Sequence, residues 1–318
     1  MLKTILRNNS KDTLLLFFLI IVSYNFSYYL LLHYTEGDQV HYQALYRDLY
    51  GVDLYDIIKL SSKYVGSNEP VSAFILWVGA NLDIEKNVYV SILNVILIVS
   101  LFLFIRKHNI KLLMACFFIT NFYIIVLMTS AERLKISYMF LIMSMLSETR
   151  TRFFLLSLVP FSHFQNIILI LIYILSDFFD KRVKKTKYIH ILLILSITLL
   201  VIVTFRETII SKLYLYLIDS VNLFNFLNIF IFSVVIFYLA VRKRMVLFVA
   251  LQLFVLIALI GQNRVNMIGV TVMLFILIKD KKIEHPLIYV IMAYFSLKSF
   301  YYIANIIKYG NGFYNNIF

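Results

Sequence analysis

Long apolar runs, separated by short polar intervals, dominate this chain. The first run covers Asp12–Tyr34, directly after a basic segment, and similar runs recur as far as residue 305. Runs of about 20 apolar residues have the length that an α-helix needs to cross the hydrocarbon core of a bilayer. Only three prolines and eight glycines interrupt 318 residues. The pattern predicts an all-α polytopic integral membrane protein, and no repeat or linker divides residues 1–318 into more than one domain.

Polar intervals between the runs predict about nine transmembrane helices. The stretch Val71–Leu82 is apolar but too short to cross, so it is expected to lie flat or to dip into the membrane and return. The first three predicted spans are Asp12–Tyr34, Asn87–Ile105 and Leu112–Ser130. A tight turn at Ala131–Lys135 starts the fourth, which ends near Glu148–Arg152. The remaining five are Tyr188–Phe205, Asn222–Val241, Met245–Ile260, Val265–Ile278 and Pro286–Asn305.

The segment Phe153–Phe179 does not fit a simple span. Basic clusters flank it on both sides, so one crossing would put one cluster on the wrong side of the membrane. Two crossings would need about 40 residues, which is more than the run contains. Pro160 and His163 lie in its first half. We expect a broken or re-entrant hairpin with His163 at its tip, because irregular backbone at membrane depth must be buried or line a wet cavity.

Basic residues set the expected orientation. Lys3, Arg7 and Lys11 precede the first span, which predicts a cytoplasmic N-terminus, an outer interval at residues 35–70 and an outer C-terminus. The net charge of +13 therefore indicates orientation and does not suggest nucleic acid. The single cysteine, Cys116, can form no internal disulfide, and no Cys/His spacing typical of a metal site is present. No metal and no cofactor is expected.

The outer interval Glu36–Pro70 is rich in tyrosine. Asp38, Tyr42 and Tyr46 recur every four residues, which places them on one face of a helix. A carboxylate beside aromatic rings suits a sugar, whose apolar faces lie on rings while its hydroxyls bond carboxylates. The alternative is an amphipathic helix on the membrane with its tyrosines at the interface.

Four arginines lie on the outer side of this topology: Arg47, Arg133, Arg206 and Arg264. Three of them sit in short turns or at the ends of spans, against the orientation rule. The planar guanidinium binds phosphate through two hydrogen bonds and keeps its charge, so these arginines are candidates for binding a lipid diphosphate. The alternative is that each arginine extends to the outer headgroups without a ligand.

His163, Asp38 and Glu69 are the candidates for proton transfer. A histidine at membrane depth is a functional candidate, able to move a proton or to bond a phosphate. Its alternative is a ring hydrogen bonded to backbone at a helix break. Asp38 and Glu69 are possible bases, although acids in outer loops are usually only solvated. Glu132, beside Arg133 and three residues before Lys135, is expected to neutralise its turn.

Several of these residues, in this order, resemble the EpsG-type and Wzy-type polysaccharide polymerases. The resemblance covers about the first half of the chain, while the second half matches mainly in hydropathy. The chain departs from the pattern at Gln39-Val40, where a second aromatic often follows the aspartate, and in lacking an alanine shortly after Arg133. The matching positions are Gly37, Asp38, Tyr42 and Tyr46, then Glu69-Pro70, Arg133, and Phe161-Ser162-His163.

The resemblance implies a GT-C-like glycosyltransferase of the bacterial inner membrane with a periplasmic active face. Such an enzyme joins oligosaccharide repeat units, carried on undecaprenyl diphosphate, into O-antigen or a related surface polysaccharide. The implied partners are lipid-linked glycans and membrane lipids, a chain-length regulator is a further candidate, and no nucleic acid is expected. The expected catalytic residues are Asp38, His163 and Glu69. The expected substrate-binding residues are Arg133, Tyr42 and Tyr46, which match the family pattern, and Arg47, Arg206 and Arg264, which their outer position suggests.

Two other classes remain open on sequence. A transporter or flippase also uses broken helices and intramembrane polar residues, although its usual internal repeat is not evident here. A related ligase or acyltransferase would work on the same lipid carrier. Transport without bond formation, or transfer of glycan or acetyl groups to another acceptor, would distinguish these classes from a polymerase.

Overall fold

The structure is a computed structural model, and it describes residues 10–167, 170, 224–260 and 262–314. Within these ranges it contains thirteen α-helices, one short 3-10 helix and no strand, which confirms the all-α prediction for this part of the chain. The helices are α1 (Ser10–His33), α2 (Asp38–Asp48), α3 (Ile57–Val65), α4 (Pro70–Asn81), α5 (Lys86–Lys107), α6 (Leu112–Ile119), α7 (Phe122–Thr129), α8 (Glu132–Leu146), α9 (Thr149–Ser162), α10 (Phe224–Leu239), α11 (Lys243–Ile260), α12 (Gln262–Lys279) and α13 (Pro286–Tyr309).

Three of the described helices are long and apolar enough to cross a membrane. They cover Asp12–His33, Lys86–Lys107 and Pro286–Tyr309, and a fourth span results if α6 and α7 count as one. Helices of this length and composition are consistent with a membrane protein. The predicted number of nine spans and the GT-C-like arrangement stay predictions, and the predicted span Tyr188–Phe205 lies outside the described residues.

The chain divides into two compact units, which we describe separately. The first contains Met1–Phe164 and Pro286–Phe318, and the second contains Gln165–His285. The division concerns packing alone, so the expectation of one transmembrane domain stays a prediction. The sequence motifs that carry the resemblance all lie in the first unit.

Helix α5 forms the centre of the first unit. It packs against α1 on one side and α8 on another, and α8 also packs against α9. Two thirds of its most apolar stretch is buried, whereas only 28% of the corresponding stretch of α1 and of α13 is buried. Exposed Phe17 and Phe18 of α1 and Leu297 of α13 belong to this outer surface. Peripheral apolar faces of this kind are what a hydrocarbon environment requires.

The outer interval is folded rather than loose. Its helices α2 and α3 pack against α4 around a small apolar cluster that includes Leu45, Leu49 and Leu76. Tyr42 and Tyr46 belong to the same cluster, with 6% and 7% of their surface exposed. Their rings therefore form no open surface on which a sugar could stack. The apolar side of the interval therefore packs onto the short helix α4.

The third predicted span is bent in the structure. Residues 112–130 form two helices, α6 and α7, that meet at an angle of 44°. Asn121 precedes α7, and its side-chain oxygen accepts a hydrogen bond from the N–H of Tyr123 at 2.9 Å. This cap starts a new helix and so ends the earlier one. The tight turn predicted at Ala131–Lys135 is also wrong in extent, because α8 already begins at Glu132.

The chain breaks at His163, as expected for the segment Phe153–Phe179. Helix α9 contains Pro160 and ends at Ser162, His163 has extended backbone, and a 3-10 turn follows. A proline inside a helix removes one backbone hydrogen bond and weakens the turn around it. The predicted break of the helix near His163 is thus confirmed. The returning half of the predicted hairpin falls mainly on residues outside the described ranges.

Helices α10, α11 and α12 form the described part of the second unit and pack against one another. Their apolar stretches include Ile229–Leu239 and Val265–Lys279. Two short connections, after α10 and after α12, are joined by an ion pair between Arg242 and Asp280. The Arg242–Asp280 ion pair therefore holds these two connections together at one end of the described helices.

Candidate functional site

Glu69 lies where the outer interval enters α4. It precedes Pro70, the first residue of that helix, and has φ −80° and ψ 104°. The residue before a proline favours this extended conformation. The hydroxyl of Ser72 donates to the carbonyl oxygen of Glu69 at 3.2 Å, and the N–H of Glu69 donates to Ser67 Oγ at 3.3 Å. The backbone is held on both sides, and Glu69 is only 2% exposed.

Four donors surround the Glu69 carboxylate. Oε2 accepts hydrogen bonds from Ser67 Oγ and from Arg133 Nη1, both at 2.6 Å. Oε1 accepts from His163 Nδ1 at 2.8 Å and from the N–H of Phe164 at 3.2 Å. A carboxylate offers about four acceptor positions, so these donors occupy all of them. We call Glu69, Arg133, His163, Ser67 and Tyr42 the Glu69 cluster.

Arg133 connects Tyr42 and Glu69 of the predicted outer interval to helix α8. It is the second residue of α8, and besides Glu69 it binds Tyr42, whose hydroxyl oxygen accepts from Nε at 3.1 Å. The side chain is 14% exposed, and Nη2 has no hydrogen-bond partner among the residues that the structure describes. The guanidinium therefore keeps one donor edge available to a ligand while Glu69 and Tyr42 hold the others.

His163 faces Glu69 because the helix stops there. Its φ of −157° and ψ of 108° are extended, so the ring leaves the path of α9 and reaches the carboxylate. An ionised carboxylate can only accept, so Nδ1 carries the proton in this hydrogen bond. A carboxylate on Nδ1 fixes the tautomer and stabilises the charged imidazole. Glu69 thus orients the ring of His163 and fixes its tautomer.

Opposing effects act on the ionisation of Glu69. Burial disfavours the charged form, but the charges of His163 and Arg133, with hydrogen bonds from His163 and Ser67, outweigh burial. The pKa of the Glu69 carboxyl therefore lies well below its usual range. A carboxylate with a lowered pKa and four donors is a weak base. The contacts of Glu69 therefore indicate that it positions Arg133 and His163 rather than accepting a proton.

A pH titration tests this assignment. Because the folded state lowers the pKa of Glu69, its ionised form stabilises the protein above the ordinary pKa of about 4.3, and the stabilisation is lost as pH falls through the lowered value. Glu69→Gln is expected to cost on the order of 3 kcal/mol at pH 5, and the difference from wild type should shrink toward pH 3. Thermal unfolding in detergent measures it, with the exposed Glu36→Gln as control. A difference that is independent of pH over this range would contradict the assignment.

A second polar cluster lies beside the first, and we call Gln39, Lys86, Glu132 and Lys135 the buried lysine cluster. All four residues are buried, and Glu132 and Lys135 are completely buried. Lys135 Nζ lies 2.6 Å from Glu132 Oε2, and Gln39 Nε2 donates to Glu132 Oε1 at 3.0 Å. Gln39 also bonds Lys86 and the carbonyl oxygen of Thr129. Two lysines and one glutamate leave one formal positive charge in the interior.

Helix α2 connects the two clusters. Gln39 belongs to the buried lysine cluster, and Tyr42, one turn later, belongs to the Glu69 cluster. Their partners Glu132 and Arg133 are adjacent at the start of α8 and point to different sides. Burial raises the pKa of the Tyr42 hydroxyl, although Arg133 opposes it. Tyr42 therefore stays a neutral hydroxyl that accepts from the guanidinium.

Asp38 lies at the exposed start of α2. The preceding Gly37 has φ +59°, a value that favours glycine, and the side chain of Asn311 lies close to it. Thr35 and Glu36 donate to the carbonyl oxygen of Gly310 at 3.1 and 3.0 Å, which ties this start to the end of α13. The Asp38 side chain forms no hydrogen bond or ion pair within the described ranges. Its negative charge is close enough to contribute to the raised pKa of Tyr42, whose largest cause is burial.

Two other predicted site residues, Tyr46 and Arg47, do not join the Glu69 cluster. Tyr46 donates its hydroxyl to the carbonyl oxygen of Ile84 at 2.9 Å, so it anchors α2. Arg47 is exposed and pairs with Asp48 at 3.1 Å. Arg264 lies in the first turn of α12, in the second unit, and its side chain is outside the description, as is all of Arg206. Of the two predicted phosphate-binding arginines whose side chains the structure describes, Arg133 belongs to the Glu69 cluster and Arg47 does not.

Sequence reasoning missed the structural role of several polar residues. Gln39 entered it only as a departure from the family pattern, and Lys86 and Ser67 did not enter it at all. Glu132 is predicted to neutralise its turn, but that prediction does not include its complete burial. Its spacing of three residues from Lys135 on an otherwise apolar helix was the available signal. A charged pair that is buried needs further hydrogen-bond partners, and here Gln39 donates to the Glu132 carboxylate.

Cationic side chains outnumber carboxylates in the two clusters. In the described part of the chain, no group of three or more His, Cys, Asp and Glu side chains could hold a metal ion. Three cations and two anions of the Glu69 cluster and the buried lysine cluster leave a formal positive charge before His163 is counted. No protein-family model, no curated protein and no solved structure matches this chain.

Proposed function

We propose that this chain is a membrane glycosyltransferase that polymerises undecaprenyl-diphosphate-linked oligosaccharide repeat units into O-antigen or a related surface polysaccharide. One observation carries the proposal: Glu69, Arg133 and His163, selected on sequence for phosphate and proton chemistry, meet in one buried cluster although up to 94 residues separate them. A carboxylate that holds a guanidinium and an imidazole side by side presents two cationic donors to one ligand.

A diphosphate leaving group fits these donors. In the reaction, the bond between the anomeric carbon and the diphosphate oxygen breaks, and the acceptor hydroxyl oxygen forms the new glycosidic bond. Negative charge develops on the leaving diphosphate, so fixed cations lower the barrier. The side chain of Arg133 is 14% exposed with Nη2 unpaired among the described residues, and Glu69 holds the ring of His163 beside it. We assign both side chains to the diphosphate and Glu69 to positioning them.

The acceptor hydroxyl must lose a proton in the same reaction. Asp38 is exposed at the start of α2, one turn before Tyr42, and we assign it to the acceptor. An exposed carboxylate that lacks a partner within the described ranges can accept a proton, whereas the surrounded carboxylate of Glu69 cannot do so easily. The donor arrives already activated as a lipid diphosphate, so no nucleotide site is required.

The proposal includes a location. It takes the enzyme to be a GT-C-like protein of about nine spans in the bacterial inner membrane, with a cytoplasmic N-terminus and the Glu69 cluster facing the periplasm. The substrate partners are lipid-linked glycans, with a chain-length regulator as a further candidate. Arg206 and Arg264 stay predicted substrate-binding residues, since their side chains lie outside the described part.

Separate variants of Asp38 and His163 test the two roles. We expect Asp38→Asn and His163→Ala each to lower polymer formation from purified lipid-linked repeat units by about 100-fold, the usual contribution of a positioned acid or base. Asp38→Asn should retain binding of the lipid-linked unit, whereas His163→Ala should weaken it. Matched controls are Asp53→Asn and His41→Ala, both exposed residues of the outer interval. Wild-type polymerisation by either variant would remove that residue from the mechanism.

A transporter or flippase is the second candidate function. Two helix breaks favour it, one between α6 and α7 and one at His163, because discontinuous helices line the substrate sites of many transporters. Proteoliposomes loaded with labelled lipid-linked units separate the candidates. Movement of label across the bilayer without growth of the glycan supports transport, while transfer to another acceptor supports a ligase or acyltransferase.

A further inference from the structure

Within helices α10 to α12 and the connections that follow α10 and α12, basic side chains are concentrated at one end. Helix α10 ends at Leu239, α11 begins at Lys243, and α12 ends at Lys279, so all three helices end there. The two connections, together with the helix residues that adjoin them, carry most of the bases of the described second unit. We call the four exposed ones the basic surface: Lys243, Arg244, Lys281 and Lys282.

An ion pair joins the two connections into one surface. Arg242 Nε donates to Asp280 Oδ1 at 2.7 Å, and Asp280 Oδ2 accepts the N–H groups of Val241 at 2.9 Å and Arg242 at 3.2 Å. The Asp280 side chain is 4% exposed. Its charge is therefore used by Arg242 and does not neutralise the four exposed bases. Glu284, half-buried, is the other acid of these connections.

Large apolar side chains are exposed beside the basic surface. Tyr238 is 73% exposed, Val241 69% and Leu247 55%, and all three lie within a few residues of Lys243. The ammonium of Lys243 also lies 5.6 Å from the ring centroid of Phe237. Aromatic and apolar residues next to lysine and arginine are typical of the boundary between hydrocarbon and headgroups.

We propose that the basic surface binds the headgroup of an anionic phospholipid, with the acyl chains against Tyr238, Val241 and Leu247. The lipid phosphate suits the guanidinium of Arg244 and the ammonium groups of Lys281 and Lys282. The Arg242–Asp280 pair keeps the two connections together, so one headgroup can contact both. The proposal does not depend on the polymerase function, since the surface lies in the other unit.

Lipid titration of purified protein tests the proposal. Protein in neutral detergent is titrated with phosphatidylglycerol or phosphatidylcholine, and bound lipid is measured by native mass spectrometry. Wild type is expected to bind phosphatidylglycerol in preference to phosphatidylcholine, and the triple variant Arg244→Gln, Lys281→Gln, Lys282→Gln should bind it on the order of 100-fold more weakly, at about five-fold for each base. The control triple Lys59→Gln, Lys63→Gln, Lys308→Gln removes the same charge from exposed residues of the first unit.

A salt titration of the wild type adds a measurement without a variant, for the case in which the triple variant does not fold. Raising salt to about 1 M shortens the Debye length to about 3 Å and should strongly reduce phosphatidylglycerol binding. Equal weakening in both triple variants would show that net charge alone attracts the lipid and would overturn the proposal. Equal binding of the two lipids by wild type, or binding that is insensitive to salt, would overturn it as well.

Discussion

Replacing Arg133 by lysine is expected to reduce polymer formation by about 100-fold or more while the protein still folds. Lysine keeps a charge beside Glu69, but one ammonium group cannot reproduce the planar guanidinium that binds Glu69 at 2.6 Å and Tyr42 at 3.1 Å and presents a further edge. Loss of one fixed donor to a developing negative charge typically costs 100- to 1,000-fold, roughly. The rate of chain growth from purified lipid-linked units measures the effect.

Arg133→Lys is a sharper test than Arg133→Ala. Alanine leaves the buried carboxylate of Glu69 without its guanidinium, so loss of activity and loss of folding would coincide. Arg150→Lys makes the same chemical change at an exposed residue of α9 and is expected to behave as wild type. A normal glycan ladder from Arg133→Lys would exclude the guanidinium from the reaction. Loss of activity with unchanged substrate affinity would place its effect in the transition state.

Glu132→Ala is expected to have the largest effect on stability. The change leaves Lys135 completely buried without the carboxylate at 2.6 Å, and it removes the only acid of the buried lysine cluster. Removing one partner of a buried pair costs about 3–5 kcal/mol, because a charge stays behind in a medium of low dielectric constant. Unfolding of the purified protein in detergent, followed by temperature or by denaturant, measures the loss.

Two further variants make this prediction specific. Glu85→Ala removes an exposed acid next to Lys86 that forms no side-chain cap to α5, and it should cost less than about 0.5 kcal/mol. The double variant Glu132→Gln, Lys135→Met removes both charges and should recover much of the stability that Glu132→Ala loses. If Glu132→Ala unfolds like Glu85→Ala, the buried pair does not stabilise the fold.

The three residues of the candidate site were predictable individually, but their meeting was not. His163 stood out as a histidine beside a proline in an apolar run, Arg133 as an arginine on the unfavoured side, and Glu69 as an acid before a proline. Each signal is local. Hydrogen bonds across 64 and 94 residues depend on how α4, α8 and α9 pack, which local periodicity does not encode.

The spacing of Tyr42 and Tyr46 predicts their common helix face correctly, but the prediction that their rings are open to a sugar is wrong. Tyr42 and Tyr46 do share one face of α2, as their spacing predicts. That face packs onto Leu76 and Ala80 of α4, so the rings are buried and their hydroxyls bind Arg133 and a backbone oxygen. Periodicity identifies a common face, but the partner of that face decides whether it is open.

Hydrophobicity alone determined that this chain is helical and has spans long enough for a membrane, because backbone groups in hydrocarbon must be bonded within their own helix. Helix ends near Asp12, Lys86 and Pro286 also followed from the sequence, since charged residues and proline favour the ends of apolar runs. Only the tertiary structure decided which charges are buried together. Lys86, Glu132 and Lys135 look like ordinary residues near helix starts, but all three are buried, and Gln39 of α2 contacts Lys86 and Glu132. Burial depends on all neighbouring elements at once, and the electrostatic strength of each charge depends on burial.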